Sequence, residues 1–260
     1  MDLEQERFQY FTKQLSLATN NALVLSLVQP GVFSISGPSF PFHLYLYAHS
    51  AVQRISPAAH DIDNIHIDLE DITLQHDKII HRIKTLSGQA HRIYARHTVV
   101  ARIDKKVSLE FQQDYHLQKA VAGKYRYGLF FKGDLVSIAV FSGGRRMNDQ
   151  PESYRSFELI RFCHKQGVLV VGGISKLIQA FQGDFSPGDI MTYADRDWSQ
   201  DSSLTKIGFK KVGQTSPQQF WFCDHERYTL TSSNQEAVKI LYPTGYPKSN
   251  SGSLKMVLTL

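Results

Sequence analysis

FELIRFCHKQGVLVVGGISKLIQAFQ, residues 157–182, is the stretch whose reading decides the fold. Residues 157–163 carry a β-rich apolar pattern, and Gly172 and Gly173 break the apolar run that follows. Beyond them apolar residues recur at Ile174, Leu177, Ile178 and Phe181, the spacing of one helix face. The stretch reads as strand, glycine turn and amphipathic helix. Glycines just ahead of a helix let the backbone approach a ligand closely, and the first-turn N–H groups, which lack intrahelical partners, point at whatever sits there. The helix dipole favours an anion at that end. Val171, Gly172, Gly173, Ile174, Ser175 and Lys176 therefore form a candidate phosphate or pyrophosphate cradle, with Lys176 adding positive charge. A tight strand-to-helix turn without a ligand is the alternative, and the motif alone does not separate the two.

Working outward, the 260 residues suffice for one large domain or two small ones with a buried core. Hydrophobic residues at 42% and charged residues at 20% describe a soluble globular protein, and 12% aromatics suit a strand-heavy fold. The longest apolar run, ALVLSLV at 22–28, is interrupted by Ser26 and followed by Pro30, too short to span a bilayer. The acidic, polar start MDLEQERF shows no secretory signal. Cys163 and Cys223 both fall in expected strands, so buried free thiols in a reducing compartment are expected, and with them a cytoplasmic location. The net charge is +5, and the excess of cations lies beyond residue 96. That basic part can attract an anionic partner, either a phosphorylated cofactor or nucleic acid.

Taken in order, Phe8, Phe11, Leu15 and Ala18 mark one helix face, and strands are expected at 31–36 and 42–49. Pro57 and the DIDN at 61–64 mark a turn. A strand at 65–69 precedes a helix over 74–86. This segment is dense in His66, Asp68, Glu70, Asp71, His76, Asp77 and His81, ligand types for hard and borderline cations. His76 and His81 are five apart, which does not align them on one helix face, so no metal site is expected. Asp68, Glu70 and Asp71 read instead as a solvated turn with favourable charge at a helix start. Next come a strand at 97–103, a helix at 105–115, a hairpin (125–132 and 135–142, turning at Gly133–Asp134), and, past the opening stretch, a strand at 190–194. A short helix at 203–207 and strands at 209–212 and 220–223 follow; residues 231–260 read as a loosely ordered tail with a last strand at 255–260.

Over 97–225 this order resembles the GNAT acyltransferase superfamily. GLFFKGDLVSIAVFS resembles its central hairpin, VVGGISKL sits where the family carries its acyl-CoA pyrophosphate loop, and SSLTKIGFKKVG is similar to its terminal helix and strand. A narrower likeness, carried by HLQ, ELIRFC, VVGGISKL and YADRDWS, is to the C-terminal region of phage and bacterial Hef-like homing endonucleases; IDLEDITLQHDKIIHRI resembles the end of their nuclease-like region. The implied fold is α+β: a twisted GNAT-like mixed sheet with flanking helices over 97–230, a smaller N-terminal α+β region over 1–96 that resembles a degenerate nuclease, and the tail 231–260. Residues 30–60 hold no acidic residue, so a working restriction-type nuclease is not expected.

The resemblance implies acetyl-CoA as acyl donor and an amine of unidentified kind as acceptor. Its pyrophosphate would lie over the amides of 171–176, with Ser175 as a further donor, and its pantetheine between the strands 157–163 and 190–194, which splay apart in this fold. Glu158 stands where the family often places the general base, and Asp195 is second. Either can instead be structural, Glu158 pairing with Arg161 or Arg155, and Asp195 pairing with Arg196 or capping the next turn. The family's usual thiolate-protonating tyrosine falls at Leu204, so Tyr193 is the hydroxyl left to serve, if it faces the cleft. The other function carried forward is a catalytically silent module on nucleic acid, with Arg145, Arg146, Arg155, Arg161, Lys165 and Arg196 tracking phosphates and Tyr154 and Trp198 stacking on bases.

Overall fold

The structure is a computed structural model that describes residues 3–55, 63–198 and 202–260. In chain order, α1 (Leu3–Thr19), β1 (Val24–Gln29), β2 (Val32–Ser36), β3 (Phe42–Tyr47), β4 (Asp63–Asp68) and α2 (Leu69–Leu86) come first. They are followed by β5 (His91–Tyr94), β6 (Val99–Arg102), α3 (Lys105–Tyr115), β7 (Tyr125–Phe131), β8 (Asp134–Phe141) and β9 (Ser156–His164). Next are β10 (Val168–Val171), α4 (Gly173–Phe185), β11 (Asp189–Asp195), α5 (Ser202–Lys206) and β12 (Lys210–Gln214). The chain ends with β13 (Gln219–Cys223), β14 (Glu226–Leu230), α6 (Gln235–Leu241), β15 (Tyr246–Ser249) and β16 (Ser253–Thr259). The turn expected around Pro57 lies mostly outside the described residues.

Two compact units share this chain in alternating segments. The first takes Met1–Ile80, Ala194–Asp201 and Gln214–Leu254, the second His81–Tyr193, Ser202–Gly213 and Lys255–Leu260. In the first unit the strand order is β1-β2-β3-β4, antiparallel except for the parallel pair β3 and β4, with a separate sheet β14-β13-β15. α1 buries Phe8, Phe11 and Leu15 as their spacing demands, and continues that face at Thr19 rather than Ala18. α2 starts earlier than its periodicity suggests and breaks at Gln75 (φ −136, ψ 27).

The second unit is the twisted mixed sheet expected of the GNAT-like fold, in the order β12-β16-β11-β9-β8-β7-β6. β7 and β8 form the expected hairpin, turning through Lys132 and Gly133, both with positive φ. α3 starts where Asp104 accepts the amide of Val107 (2.9 Å), relieving one orphan donor. α4 buries Leu177, Ile178 and Phe181, and Phe181 stacks on Phe141 with ring centroids 4.0 Å apart. Phe157 meets Phe181 edge-on at 5.0 Å, so an aromatic cluster ties helix to sheet. Burying one such side chain contributes about 1.5–3 kcal/mol.

Three expectations are corrected. The strand at 220–223 exists as β13, but it belongs to the three-stranded sheet, and the sheet neighbour of β12 is β16. The last strand expected at 255–260 is present as β16, an inner strand between β12 and β11, but the rest of 231–260 is not loosely ordered, since it holds α6 and β15. A polar, Pro-containing sequence conceals this because strand pairing is set by distant partners rather than local pattern. Asp68 and Glu70 are not solvated but buried, at 3% and 6% exposure. Cys163 and Cys223 are buried and not joined in a disulfide. Among the described residues no helix is long and apolar enough to cross a membrane.

Candidate functional site

The sheet of the second unit opens between β9 and β11. These strands pair in parallel only at Asp189 with Ser156, Ile190 with Phe157 and Met191 with Glu158. Beyond that point β9 runs on to His164 and β11 to Asp195 without a shared ladder. The cause lies on the other edge of β9: its register against β8 steps from Arg161 opposite Val140 to Leu159 opposite Phe141, so Ile160 is an extra residue in the strand. Such a bulge bends its strand and re-aims the residues beyond it. Thr192 Oγ1 donates to Leu159 O (2.8 Å) at the point of divergence. The paired end is pinned by Tyr154 and Ser156, whose hydroxyls both donate to the Asp189 carboxylate at 2.6 Å. The opening therefore faces the carboxyl ends of the two strands.

From the carboxyl end of β9 the chain turns at Gly167, pairs β10 with β5 and reaches the glycine turn. Gly172 is left-handed (φ 76, ψ 7), a conformation costly for other residues. Gly173 is glycine for another reason, because a Cβ there would press on Val170 and Leu129 at 3.1–3.2 Å. The first intrahelical bond runs from Lys176 N to Gly172 O (3.1 Å), leaving the amides of Gly173, Ile174 and Ser175 ahead of it. Val171 is 39% exposed at the mouth of this turn. Lys176, expected to add positive charge to the cradle, has partners within the chain. Its Nζ donates to Ala95 O (2.8 Å) and to Thr98 O, tying α4 to the segment between β5 and β6.

Glu158 lies at the last paired position, one quarter exposed, with Arg145 Nη2 3.8 Å from Oε2. Arg145 is thus its ion-pair partner, and the Glu158 charge also acts on Arg161, one of the two arginines expected beside it. Tyr193 is 46% exposed. It stands two residues beyond Met191, the register partner of Glu158, so alternation puts Tyr193 and Glu158 on one face. Asp195 is engaged in the turn that follows β11, where its Oδ1 accepts Asp197 N (3.0 Å). Leu204 sits in the short α5.

Most of the cations read as a phosphate track have partners within the chain. Arg146 meets Glu152 (3.2 Å), Arg155 donates to the carbonyls of Glu152 and Tyr154, and Arg196 donates to Ser251 O. Arg161 donates to Ile160 O, and burial lowers its pKa.

In the first unit the structure assembles a charged cluster that no local pattern announced. Arg54 forms two hydrogen bonds with Asp68 (2.7 and 2.8 Å) and two with Asp197 Oδ2 (3.2 and 2.9 Å). Lys248, 1% exposed, donates to Ala48 O (2.5 Å) and Ala51 O (3.1 Å) and lies 3.7 Å from Asp68 and 3.8 Å from Glu70. Arg54, aided by Lys248, holds the Asp68 carboxyl below its usual range against burial. Tyr47 Oη and His66 Nδ1 are 2.6 Å apart, and burial pushes the imidazole down to about 4. Burial, with the Asp68 and Glu70 charges, pushes the Asp71 carboxyl up to about 7. His66, Asp68, Glu70 and Asp71 stood out in the sequence, but their partners Arg54, Asp197 and Lys248 did not, because the groups brought together lie up to 200 positions apart. Among the described residues no group of three or more His, Cys, Asp and Glu could hold a metal ion.

No family model matches the chain, and no curated protein matches it. The chain is similar to several solved acetyltransferase structures. One is a histone acetyltransferase HPA2 and related acetyltransferase from Corynebacterium glutamicum, at 13% identity over 52% of this chain and 65% of that one, TM-score 0.29. Another is Ard1 from Thermoplasma volcanium, at 10% identity over 63% of this chain and 98% of that one, TM-score 0.39. A third is a GNAT family acetyltransferase from Elizabethkingia anophelis with acetyl-CoA bound, at 6% identity over 63% of this chain and 99% of that one, TM-score 0.35. At these scores the likenesses carry no argument of their own, and the fold rests on the strand order and register.

Proposed function

We propose that the second unit binds an acyl-CoA, with acetyl-CoA as donor, and transfers the acetyl group to an amine. The observation that carries this reading is the parting of β9 and β11 after Glu158 and Met191, caused by the bulge at Ile160. The residues present fit the cofactor in one respect and not in another. The free amides of Gly173, Ile174 and Ser175, with Gly172 preceding them, suit a pyrophosphate at a helix N-terminus. Lys176 keeps its charge near this helix end, but two of the three donors of its ammonium are committed to carbonyls of the chain. Acyl-CoA, when bound, supplies the activated thioester. Glu158 accepts the proton of the attacking amine, directly or through one water, and its loose 3.8 Å pairing with Arg145 leaves the carboxylate able to do so. Tyr193 Oη, on the same face, is the proton source for the leaving group.

The test is a melting curve with and without acetyl-CoA. A ligand that binds only the native state stabilises it by an amount that grows with the logarithm of its excess over Kd, and so raises the melting temperature. Glu158→Gln is expected to keep that rise while acetylation of an amine panel falls about 10²–10⁴-fold. An unmoved melting temperature at millimolar acetyl-CoA sinks the cofactor reading, and unchanged turnover in Glu158→Gln removes that residue from the role. The second reading, a silent nucleic-acid module related to mobile-element proteins, has no observation in its favour, since most of the cations it needs are bonded within the chain.

A further inference from the structure

Beside Glu158 the second unit holds two arginines in unlike states. Arg145 lies in the link between β8 and β9, and its main chain is pinned there. Its N–H donates to Ser156 O (2.8 Å) and its carbonyl accepts from Ser156 N (3.0 Å). Its side chain is 69% exposed, and Nη2 stands 3.8 Å from Glu158 Oε2, beyond hydrogen-bond length. The adjacent Arg146 has a carboxylate of its own, Glu152 at 3.2 Å. Arg161, further along β9, has its Nε buried without a hydrogen-bond partner among the described residues, and the Glu158 charge acts on it. One carboxylate therefore answers two guanidinium groups. An exposed pair as loose as Glu158 and Arg145 contributes little, so a ligand can part it at small cost.

We propose that the acceptor is an α-amino acid with a free carboxylate, which Arg145 binds while Glu158 receives the amine; this rests on the acyl-CoA reading above. The charges decide the class. An α-amino acid carries an ammonium and a carboxylate on one carbon, the complement of a carboxylate and a guanidinium 3.8 Å apart. Inserted between them, it exchanges one loose pair for two close ones, and the arginine fork can take its carboxylate by parallel hydrogen bonds. The Arg161 charge leaves a cationic surplus around Glu158, which favours an acceptor bringing a negative group and opposes a polyamine or a lysine-rich tail. Glu158 takes one proton from the ammonium, and the amine nitrogen bonds to the acetyl carbon as the carbon–sulfur bond breaks. The second proton lost by the nitrogen replaces the one Tyr193 gives to the leaving sulfur, so one proton is released overall.

The experiment follows thiol release from acetyl-CoA with the common L-amino acids and with their carboxamides, beside melting curves with acetyl-CoA alone. At least one free amino acid is expected to be turned over with kcat/KM about tenfold or more above its carboxamide, because the amide loses a charged hydrogen bond. Arg145→Gln is expected to raise KM for that amino acid about tenfold with little change in kcat, and to abolish the preference over the amide. Arg145→Lys keeps the charge and is expected to restore part of the preference. Both variants alter only an exposed side chain, so both are expected to keep the melting shift with acetyl-CoA. A protein that acetyl-CoA stabilises overturns this proposal alone if it releases no thiol with any amino acid, if it accepts the amides equally well, or if its preference survives Arg145→Gln. An unmoved melting temperature overturns the acyl-CoA reading and this proposal with it.

Discussion

In the second unit the centre of the fold is a set of rings, Phe181 on Phe141 with Phe157 and Phe185 around them. The first unit has an apolar core too, with Phe8, Phe11 and Leu44 fully buried, but it also buries ions: Arg54 between Asp68 and Asp197, and Lys248 beside Asp68 and Glu70. The difference teaches how each unit fails. An aromatic core gains from area and packing, so a truncation costs what the lost volume costs and no more. A buried ion network gains little over an apolar core of the same shape, but loses heavily when one partner is removed and the others are stranded. Specificity follows the same division. The rings fix how α4 seats on the sheet, while the ions fix which distant segments meet, since Lys248 reaches Ala48 across the sequence.

The largest expected effects fall on these two centres. Arg54→Met strands Asp68 and Asp197 and is expected to cost about 3–5 kcal/mol in denaturant unfolding. Adding Asp68→Asn and Asp197→Asn should recover much of that loss, because no charge is then left unpaired. Phe181→Ala is expected to cost about 3–5 kcal/mol as well, with no second polar substitution able to relieve it. If Arg54→Met proves as mild as an exposed change, the contrast between the units fails.

The next effect is the response to pH. The Asp71 carboxyl is raised from 3.8 to about 7, so the stability tied to its neutral form is fully present below its unfolded value and is lost as pH rises through about 7. His66 acts in the other direction. Its pKa falls from 6.5 to about 4, so its share of stability is present above 6.5 and is lost as pH falls through about 4. In the second unit His164, its Nδ1 buried without a hydrogen bond, is likewise pushed down to about 4 by burial and by the Arg82 charge. The first unit is therefore expected to lose stability on both sides and the second through His164 on the acid side. Asp71→Asn should raise the melting temperature at pH 7 and flatten its fall above pH 4; no change at pH 7 would show that the carboxyl ionises freely. The smallest effect belongs to the exposed pair Lys106 and Glu110 on α3, 3.9 Å apart, where Lys106→Ala should shift stability by about 0–0.5 kcal/mol.

The glycine turn and the helix after it were legible in the sequence, as were the 125–142 hairpin and α3. In each, the periodicity of neighbouring residues and a single Gly or Asp settle the local conformation. The bulge at Ile160 was not legible, because a bulge is a mismatch with the partner strand and leaves no mark on one strand alone. Lys176 shows the same limit at a single residue. Its place in the first turn was evident, but whether its amine faced a ligand or the carbonyls of Ala95 and Thr98 depended on a segment some 80 residues away.

By itself the sequence determined that 157–182 is strand, turn and helix, and where the 125–142 hairpin, α1 and α3 form. Those features rest on local periodicity and on the conformational freedom of Gly172. Tertiary structure alone decided that β16 rather than β13 completes the large sheet, that Asp68 and Glu70 are buried against Lys248, and that β9 and β11 part company. Each of these depends on hydrogen bonds or charges contributed by residues far apart in the chain, and no window of neighbouring residues contains both halves of such a pair.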